Sequence, residues 1–144
     1  MSDSNIPAWH HLPPNPYNPH AWMLGEPDIG PGCWIGAFCL LDGSGGLTIG
    51  ERCDISAGTQ IYTHTTVRRC LSDHAKPIER ASTRIGSHSH IGANAVVHMG
   101  SDIGSFCVIA AGAVVPAYTN APDYSLLVGV PARVVPDGAR KFTE

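Results

Sequence analysis

The sequence predicts an all-β fold, a single chain wound into a three-sided parallel β-helix, and three observations predict it. Aliphatic residues recur every six positions. A second column of small residues recurs four positions behind them. A period of six suits neither a continuous helix, which needs about 3.6, nor an ordinary half-buried strand, which needs 2.

The series opens at Ile29-Gly30, Ile35-Gly36 and Leu41-Asp42. After two extra residues it resumes at Ile49-Gly50, Ile55-Ser56 and Ile61-Tyr62. A longer gap follows, and the register then runs through Ile85-Gly86, Ile91-Gly92, Val97-His98, Ile103-Gly104, Ile109-Ala110 and Val115-Pro116. The small column comprises Cys33, Cys39, Gly45, Cys53, Thr59, Ser89, Ala95, Ser101, Cys107, Ala113 and Thr119. Three hexapeptides make one turn of about 18 residues around a triangular prism, with the aliphatic residue inward and the small residue packed beside it. Glycine after the aliphatic residue suits a sharply bending backbone. Successive coils pair in parallel at about 4.8 Å.

Each segment follows from this register. Residues 1–28 form a Pro-rich arm, with Pro7, Pro13, Pro14, Pro16, Pro19 and Pro27 around Trp9, Tyr17 and Trp22. Proline lacks the N–H a central strand donates, so the arm is expected to lie extended on a surface, such as that of a neighbouring subunit. Residues 29–63 give two coils, 85–120 two more, and 121–135 a last partial coil. That makes four to five in all, with a polar tail at 136–144. Such a small core, with two open ends, gains from association into an oligomer.

Composition narrows the function. The chain has 144 residues, enough for one domain, and a formal charge of −3, so no general field draws nucleic acid. No apolar run approaches a membrane span. The N-terminus lacks the pattern of a secretory signal, and a cytoplasmic protein with reduced thiols is expected. Cys33, Cys39, Cys53 and Cys107 fall in the small inward column and read as buried structural residues. Cys70 alone stands outside it.

The excursion at 64–84 leaves the register entirely. It is 18 residues longer than the repeat allows and holds Arg68, Arg69, Lys76, Arg80 and Arg84, five of nine basic residues, with His64 and His74. A long basic loop on a regular scaffold suits a lid over an anionic ligand. His88 and His90 occupy outward positions, and His98 holds a place usually taken by a small residue.

This pattern resembles the hexapeptide-repeat acyltransferases over roughly residues 29–135. The resemblance implies a left-handed β-helix, a homotrimer and acetyl-CoA as co-substrate. It is similar to the small acetyltransferases of bacterial surface-polysaccharide pathways. It therefore implies transfer of an acetyl group to a hydroxyl or amine of a sugar or nucleotide sugar. The family's base is a His on or just after the strand entering such a loop, which His64 matches in Ile61-Tyr62-Thr63-His64. An ungapped match to several family members falls two positions later, on Thr66, and His74 is the reserve candidate. Histidine is the usual base for a hydroxyl attacking a thioester near neutral pH. Asp42 matches an acidic residue that binds the acceptor, and as an Asp before Gly it also reads as a turn former. Arg68, Arg69 and His74 would line the acceptor pocket.

The segment Leu126-Leu127-Val128-Gly129-Val130-Pro131-Ala132-Arg133-Val134-Val135 resembles the family's closing signature. In the family, small residues of the last coils contact the pantetheine arm of CoA, and a basic residue lies near its phosphates. Ala93, Ala111 and Arg133 match these positions. Pro116-Ala117 replaces a common Thr-Lys pair, leaving Arg140 or Lys141 to supply that contact. No metal is expected, because the zinc-binding branch of the fold has a His pair five residues apart, whereas His88, His90 and His98 are spaced two and eight apart. A non-catalytic β-helix scaffold is the rival from another class.

Overall fold

The computed structural model describes residues 12–144; Trp9, His10 and His11 of the expected arm lie outside the described residues. The chain is a left-handed parallel β-helix of five coils with three flat faces. Face A stacks β1 (Trp22–Leu24), β4 (Leu40–Asp42), β7 (Gln60–Ile61), β12 (Val96–Val97) and β15 (Val114–Val115). Face B stacks β2 (Asp28–Ile29), β5 (Leu47–Ile49), β10 (Thr83–Ile85), β13 (Asp102–Ile103) and β16 (Asn120–Ala121). Face C stacks β3 (Trp34–Ile35), β6 (Asp54–Ile55), β11 (His90–Ile91), β14 (Val108–Ile109) and β17 (Leu126–Gly129), then adds β18 (Ala132–Val135) antiparallel to β17. The hairpin of β17 and β18 covers what would otherwise be an open edge.

The aliphatic column is the core. Ile35, Leu41, Ile49, Ile55, Ile61, Ile85, Ile91, Val97, Ile103, Ile109, Val115 and Leu127 are all fully buried. Each contributes about 1.5–3 kcal/mol of apolar burial, so the six-residue spacing is what holds the prism closed.

The small column has a second property beyond size. Its thiols and hydroxyls donate to the carbonyl of the residue after the aliphatic position one coil on. The pairs include Cys39 Sγ to Ser56 O (3.1 Å), Cys53 Sγ to Gly86 O (3.2 Å), Thr59 Oγ1 to Gly92 O (3.1 Å) and Ser89 Oγ to Gly104 O (3.0 Å). Cysteine is interchangeable with Ser and Thr here because a buried carbonyl needs a donor.

The expected role of the post-aliphatic glycine is corrected. The bend falls two residues later, where φ is positive at Gly32, Phe38, Arg52, Gly58, His88, Asn94, Gly100, Phe106, Gly112, Tyr118 and Tyr124. Glycine after the aliphatic residue serves close approach of coils instead. A Cβ on Gly92 would sit 2.4 Å from the backbone nitrogen of Ala111.

The β-helix begins at Trp22, inside the segment read as the arm. Trp22–Leu24 pairs in parallel with Leu40–Asp42 despite the nearby prolines. The described residues before it fold onto this chain's own first coil. Asn15 Nδ2 bonds the carbonyls of Asn18 and Ala21, Asn18 Nδ2 reaches Ile35 O, Tyr17 packs on the core and Ala21 is buried.

Candidate active site

Both breaks in the register fall at the same corner, from face A to face B, in adjacent coils. Elsewhere this corner spans six residues from one core position to the next, as from Val97 to Ile103. In the second coil it bulges through Gly43-Ser44-Gly45-Gly46; in the third it opens into the excursion. The two irregularities interlock. Gly45 N donates to Thr63 Oγ1 at 2.8 Å, and a Cβ on Gly45 would lie 2.3 Å from Thr63 O, so only glycine fits.

Asp42 and His64 meet at this corner. Asp42, at the end of β4, is fully buried. Its Oδ1 accepts the Ser44 N–H at 2.9 Å, and its Oδ2 accepts the Thr63 N–H at 2.9 Å. His64 Nδ1 bonds the same Oδ2. Burial alone would raise the Asp42 pKa, but hydrogen bonds from Ser44, Thr63 and His64 outweigh it and hold the carboxyl well below the usual range. An ionised carboxylate can only accept, so Nδ1 carries a proton, and in the neutral ring Nε2 is the nitrogen that keeps its lone pair. Within this chain Asp42 is thus enclosed, with both oxygens occupied by its own neighbours.

The His64 ring is about a quarter exposed and lines a cleft of about 320 Å³ with Tyr62, Thr65, Thr66 and His98. Tyr62 and His98 occupy one register position in adjacent coils, and their rings stack 6.3 Å apart at 22°. Tyr62 meets His64 edge-on at 6.0 Å, and its hydroxyl donates to Gln60 Oε1 at 2.5 Å. Sequence reasoning missed Tyr62 and noted His98 only as standing where a small residue is usual. The available signal was two large polar rings where the repeat elsewhere accepts small residues.

The excursion has its own structure. Strand β8 (His64–Thr65) pairs antiparallel with β9 (Glu79–Arg80), with α1 (Val67–Leu71) between them. Arg68 and Arg69 lie on α1, and Arg68 Nε faces Glu79 Oε1 at 3.3 Å on the surface. His74 is exposed just beyond α1. None of these three lines the His64 cleft within this chain.

A second, larger groove of about 550 Å³ lies along face C and its corner toward face A. Gly92, Ala93, Ala110 and Ala111 form one side, Val108, Ile109 and Leu126 the floor, and Phe142 a wall. Ala93 and Ala111 are thus brought together. Arg133 is exposed opposite Val128 in the closing hairpin, on the outer side of the same face. Arg140 is engaged elsewhere, with its guanidinium 4.0 Å over the Tyr124 ring and its Nε donating to Asp137. Groove and cleft lie on either side of β12 (Val96–Val97), with Ala93 three residues before the strand and His98 the residue after it. Among the described residues, no three His, Cys, Asp or Glu side chains are grouped to hold a metal ion.

A family profile described as the hexapeptide repeat of succinyl-transferase matches residues 28–63 and 82–117, which is half of the chain. The chain belongs to the hexapeptide-repeat acyltransferase family. The interval between the matches, 64–81, falls within the excursion and carries His64. This hexapeptide-repeat protein is 30% identical to the serine acetyltransferase of Bacillus subtilis (strain 168) over 116 residues, or 79% of its own length and 50% of the relative's. It spans about half, or less, of the length of the curated relatives it matches. Its fold superposes on AntD, an N-acyltransferase from Bacillus cereus in complex with dTDP and 3-hydroxybutyryl-CoA. There the TM-score is 0.71 at 20% identity, covering 88% of this chain and 74% of AntD. The hexapeptide-repeat acetyltransferase VCA0836 of Vibrio cholerae O1 biovar eltor, complexed with acetyl coenzyme A, matches at TM-score 0.63 and 26% identity, covering 81% and 59%.

Proposed function

We propose that this protein is an acetyl-CoA-dependent acetyltransferase acting on a hydroxyl or amine of a sugar or nucleotide sugar, with His64 as base. The observation that carries the reading is the Asp42–His64 pair at the corner where both register breaks converge. Asp42 holds the imidazole in the tautomer that offers Nε2 to the acceptor. The acceptor oxygen or nitrogen attacks the thioester carbonyl while Nε2 takes its proton. The tetrahedral oxyanion then collapses, and the C–S bond breaks. The leaving thiolate recovers the proton from His64, giving the acetylated product and CoA. Thiolate is a good leaving group, so no covalent enzyme intermediate is needed.

The Ala93–Ala111 groove is the proposed coenzyme site, with Arg133 toward the phosphates. Coenzyme-bound VCA0836 supports this at 26% identity. AntD, with its bound dTDP, supports a nucleotide-sugar acceptor through the fold alone. We place the complete site between subunits of a homotrimer. The outer column of face A is mainly apolar, with Trp22, Leu40, Gln60, Val96 and Val114, whereas that of face B is Asp28, Thr48, Arg84, Asp102 and Asn120. Packing face A against a neighbour brings the groove of one copy toward the cleft of another.

The test measures CoA release on a panel of amino and hydroxy sugars and their dTDP conjugates, with serine as the comparison acceptor. His64→Ala should lose at least a hundredfold in kcat while keeping CoA affinity and oligomeric state. Full activity in that variant rejects His64 as base. A wild-type protein without CoA affinity favours the scaffold.

A further inference from the structure

We propose that Phe142 is a coenzyme-binding residue that closes the groove on the pantetheine arm, and that a stack of His88, Phe106, Tyr124 and Arg140 holds it there. The proposal rests on the acyl-CoA reading of the groove.

The stack runs up the corner between faces B and C. His88, Phe106 and Tyr124 occupy the bend position of three successive coils, each with left-handed φ (55°, 55° and 63°). The first coil places Gly32 at this bend, the residue to which such a backbone comes most easily. Three rings at that position match the coil spacing of about 4.8 Å to ring stacking. The His88 and Phe106 centroids are 4.9 Å apart at 1°, and those of Phe106 and Tyr124 are 5.0 Å apart at 6°. The Arg140 guanidinium continues the column 4.0 Å above Tyr124 and is fixed from the side by Asp137 Oδ1 at 2.8 Å.

Arg140 opens the short 3-10 turn Arg140–Phe142. Ala139 is buried just before it, with its N–H on Tyr124 O at 2.9 Å, and the Phe142 N–H returns to Ala139 O at 3.0 Å. The turn is therefore fastened to Tyr124 twice, through backbone and through Arg140. The ring it delivers is 62% exposed and gains little from this chain's own core. It forms a wall of a groove lined mainly by apolar groups, among them Ala93, Ala111, Val108 and Leu126, with His90 and Ser56 as its polar side chains. Hydrocarbon walls suit the methylenes and geminal methyls of pantetheine, while the phosphates lie beyond, toward Arg133.

The test is calorimetric titration of the full chain with CoA, and competition by adenosine 3′,5′-bisphosphate, which lacks the arm. Phe142→Ala should weaken CoA about tenfold, equivalent to ~1.4 kcal/mol, and leave the bisphosphate unchanged. Tyr124→Ala should weaken CoA, Tyr124→Phe should keep wild-type affinity, and Tyr124→Ala should add nothing in the Phe142→Ala background. Arg140→Gln removes the same support from outside the β-helix should Tyr124→Ala fail to fold. Unchanged CoA affinity in Phe142→Ala, or equal loss for the bisphosphate, overturns the proposal while the groove reading stands. Additive losses overturn the supporting stack. A wild type that does not bind CoA sinks the groove reading and the proposal together.

Discussion

Asp42→Asn is the sharpest perturbation of the proposed chemistry, because the structure constrains what an amide can do there. The carboxylate accepts one N–H on Oδ1, from Ser44, and two on Oδ2, from Thr63 and His64. An amide has one accepting oxygen. If that oxygen takes the Oδ2 place, its NH2 confronts the Ser44 N–H. If it takes the Oδ1 place, the NH2 confronts the Thr63 N–H and drives His64 into the other tautomer. Either way one buried donor loses its partner, at a cost of about 1–3 kcal/mol. For a chain of this length that lowers Tm by roughly 4–10 °C. Loss of the carboxylate charge behind His64, and in the second placement of the correct tautomer as well, should reduce kcat by about 10²–10⁴, the usual range for a base and its orienting carboxylate. CoA affinity should hold, since the groove lies on the other side of β12. The assay is steady-state release of CoA thiol beside a calorimetric melt. If Asp42→Asn turns over within threefold of wild type while His64→Ala is dead, the claim that the Asp42 carboxylate supports His64 is refuted. The wild type also carries a pH signature. A folded-state pKa depressed below the unfolded value of about 3.9 contributes stability above that pH. The contribution is lost as pH falls from there through the depressed value, and Asp42→Asn should flatten that part of the acid limb.

Two further outcomes follow from burial. Cys70 is exposed and Cys33 half-buried, with its Sγ on Gly50 O at 3.1 Å, while Cys39, Cys53 and Cys107 are buried, and burial pushes the Cys53 thiol up to about 11. An aromatic disulfide reagent at pH 8 should label one thiol quickly, and Cys70→Ser should abolish that phase; rapid labelling of several thiols would contradict the packed small column. The raised thiol contributes stability that is intact below its ordinary value of 9.0 and lost as pH rises toward about 11, so Cys53→Ser should lessen the alkaline decline. On face A, Val96→Glu should dissociate the proposed trimer in sedimentation and cut kcat/KM without lowering CoA binding to the single chain by a similar factor. A trimer that survives a charge on this strand would move the interface elsewhere.

The fold was largely legible because each core decision in a β-helix is local. One aliphatic residue per six closes the prism, and one small donor per six satisfies the next corner. The reading went astray where local pattern gave way to contacts between coils. Glycine after Ile91 looked like a bend residue, yet what excludes a side chain at Gly92 is the backbone of Ala111, 19 residues away. Trp22 sat among prolines, and its strand became visible only through its pairing with Leu40. Handedness came from resemblance, because general rules for parallel crossovers favour the opposite hand. At the site, His64 was reachable from its place before the excursion. Its tie to Asp42, across 22 residues and two register breaks, was not. Phe142 lay in a tail without period, where only a three-dimensional stack gives a residue its meaning.

The register breaks themselves explain why the reactive pair sits where it does. At a regular six-residue corner of this edge the residue after the core position stays exposed, as His98 does after Val97, so a carboxylate there would not be buried. The 43–46 bulge supplies the volume for Asp42 and the Ser44 N–H that neutralises one oxygen. The excursion releases residue 64 from the inward-outward alternation, so that an imidazole can turn back onto the coil beneath. Neither break would suffice alone. The bulge without the excursion would leave a buried anion short of a partner, and the excursion without the bulge would leave an unoriented imidazole. Restoring the first corner to six residues, by deleting two residues from Gly43-Ser44-Gly45-Gly46, should therefore displace His64 as effectively as removing Asp42, while the rest of the column, built on its own hexapeptides, keeps its fold.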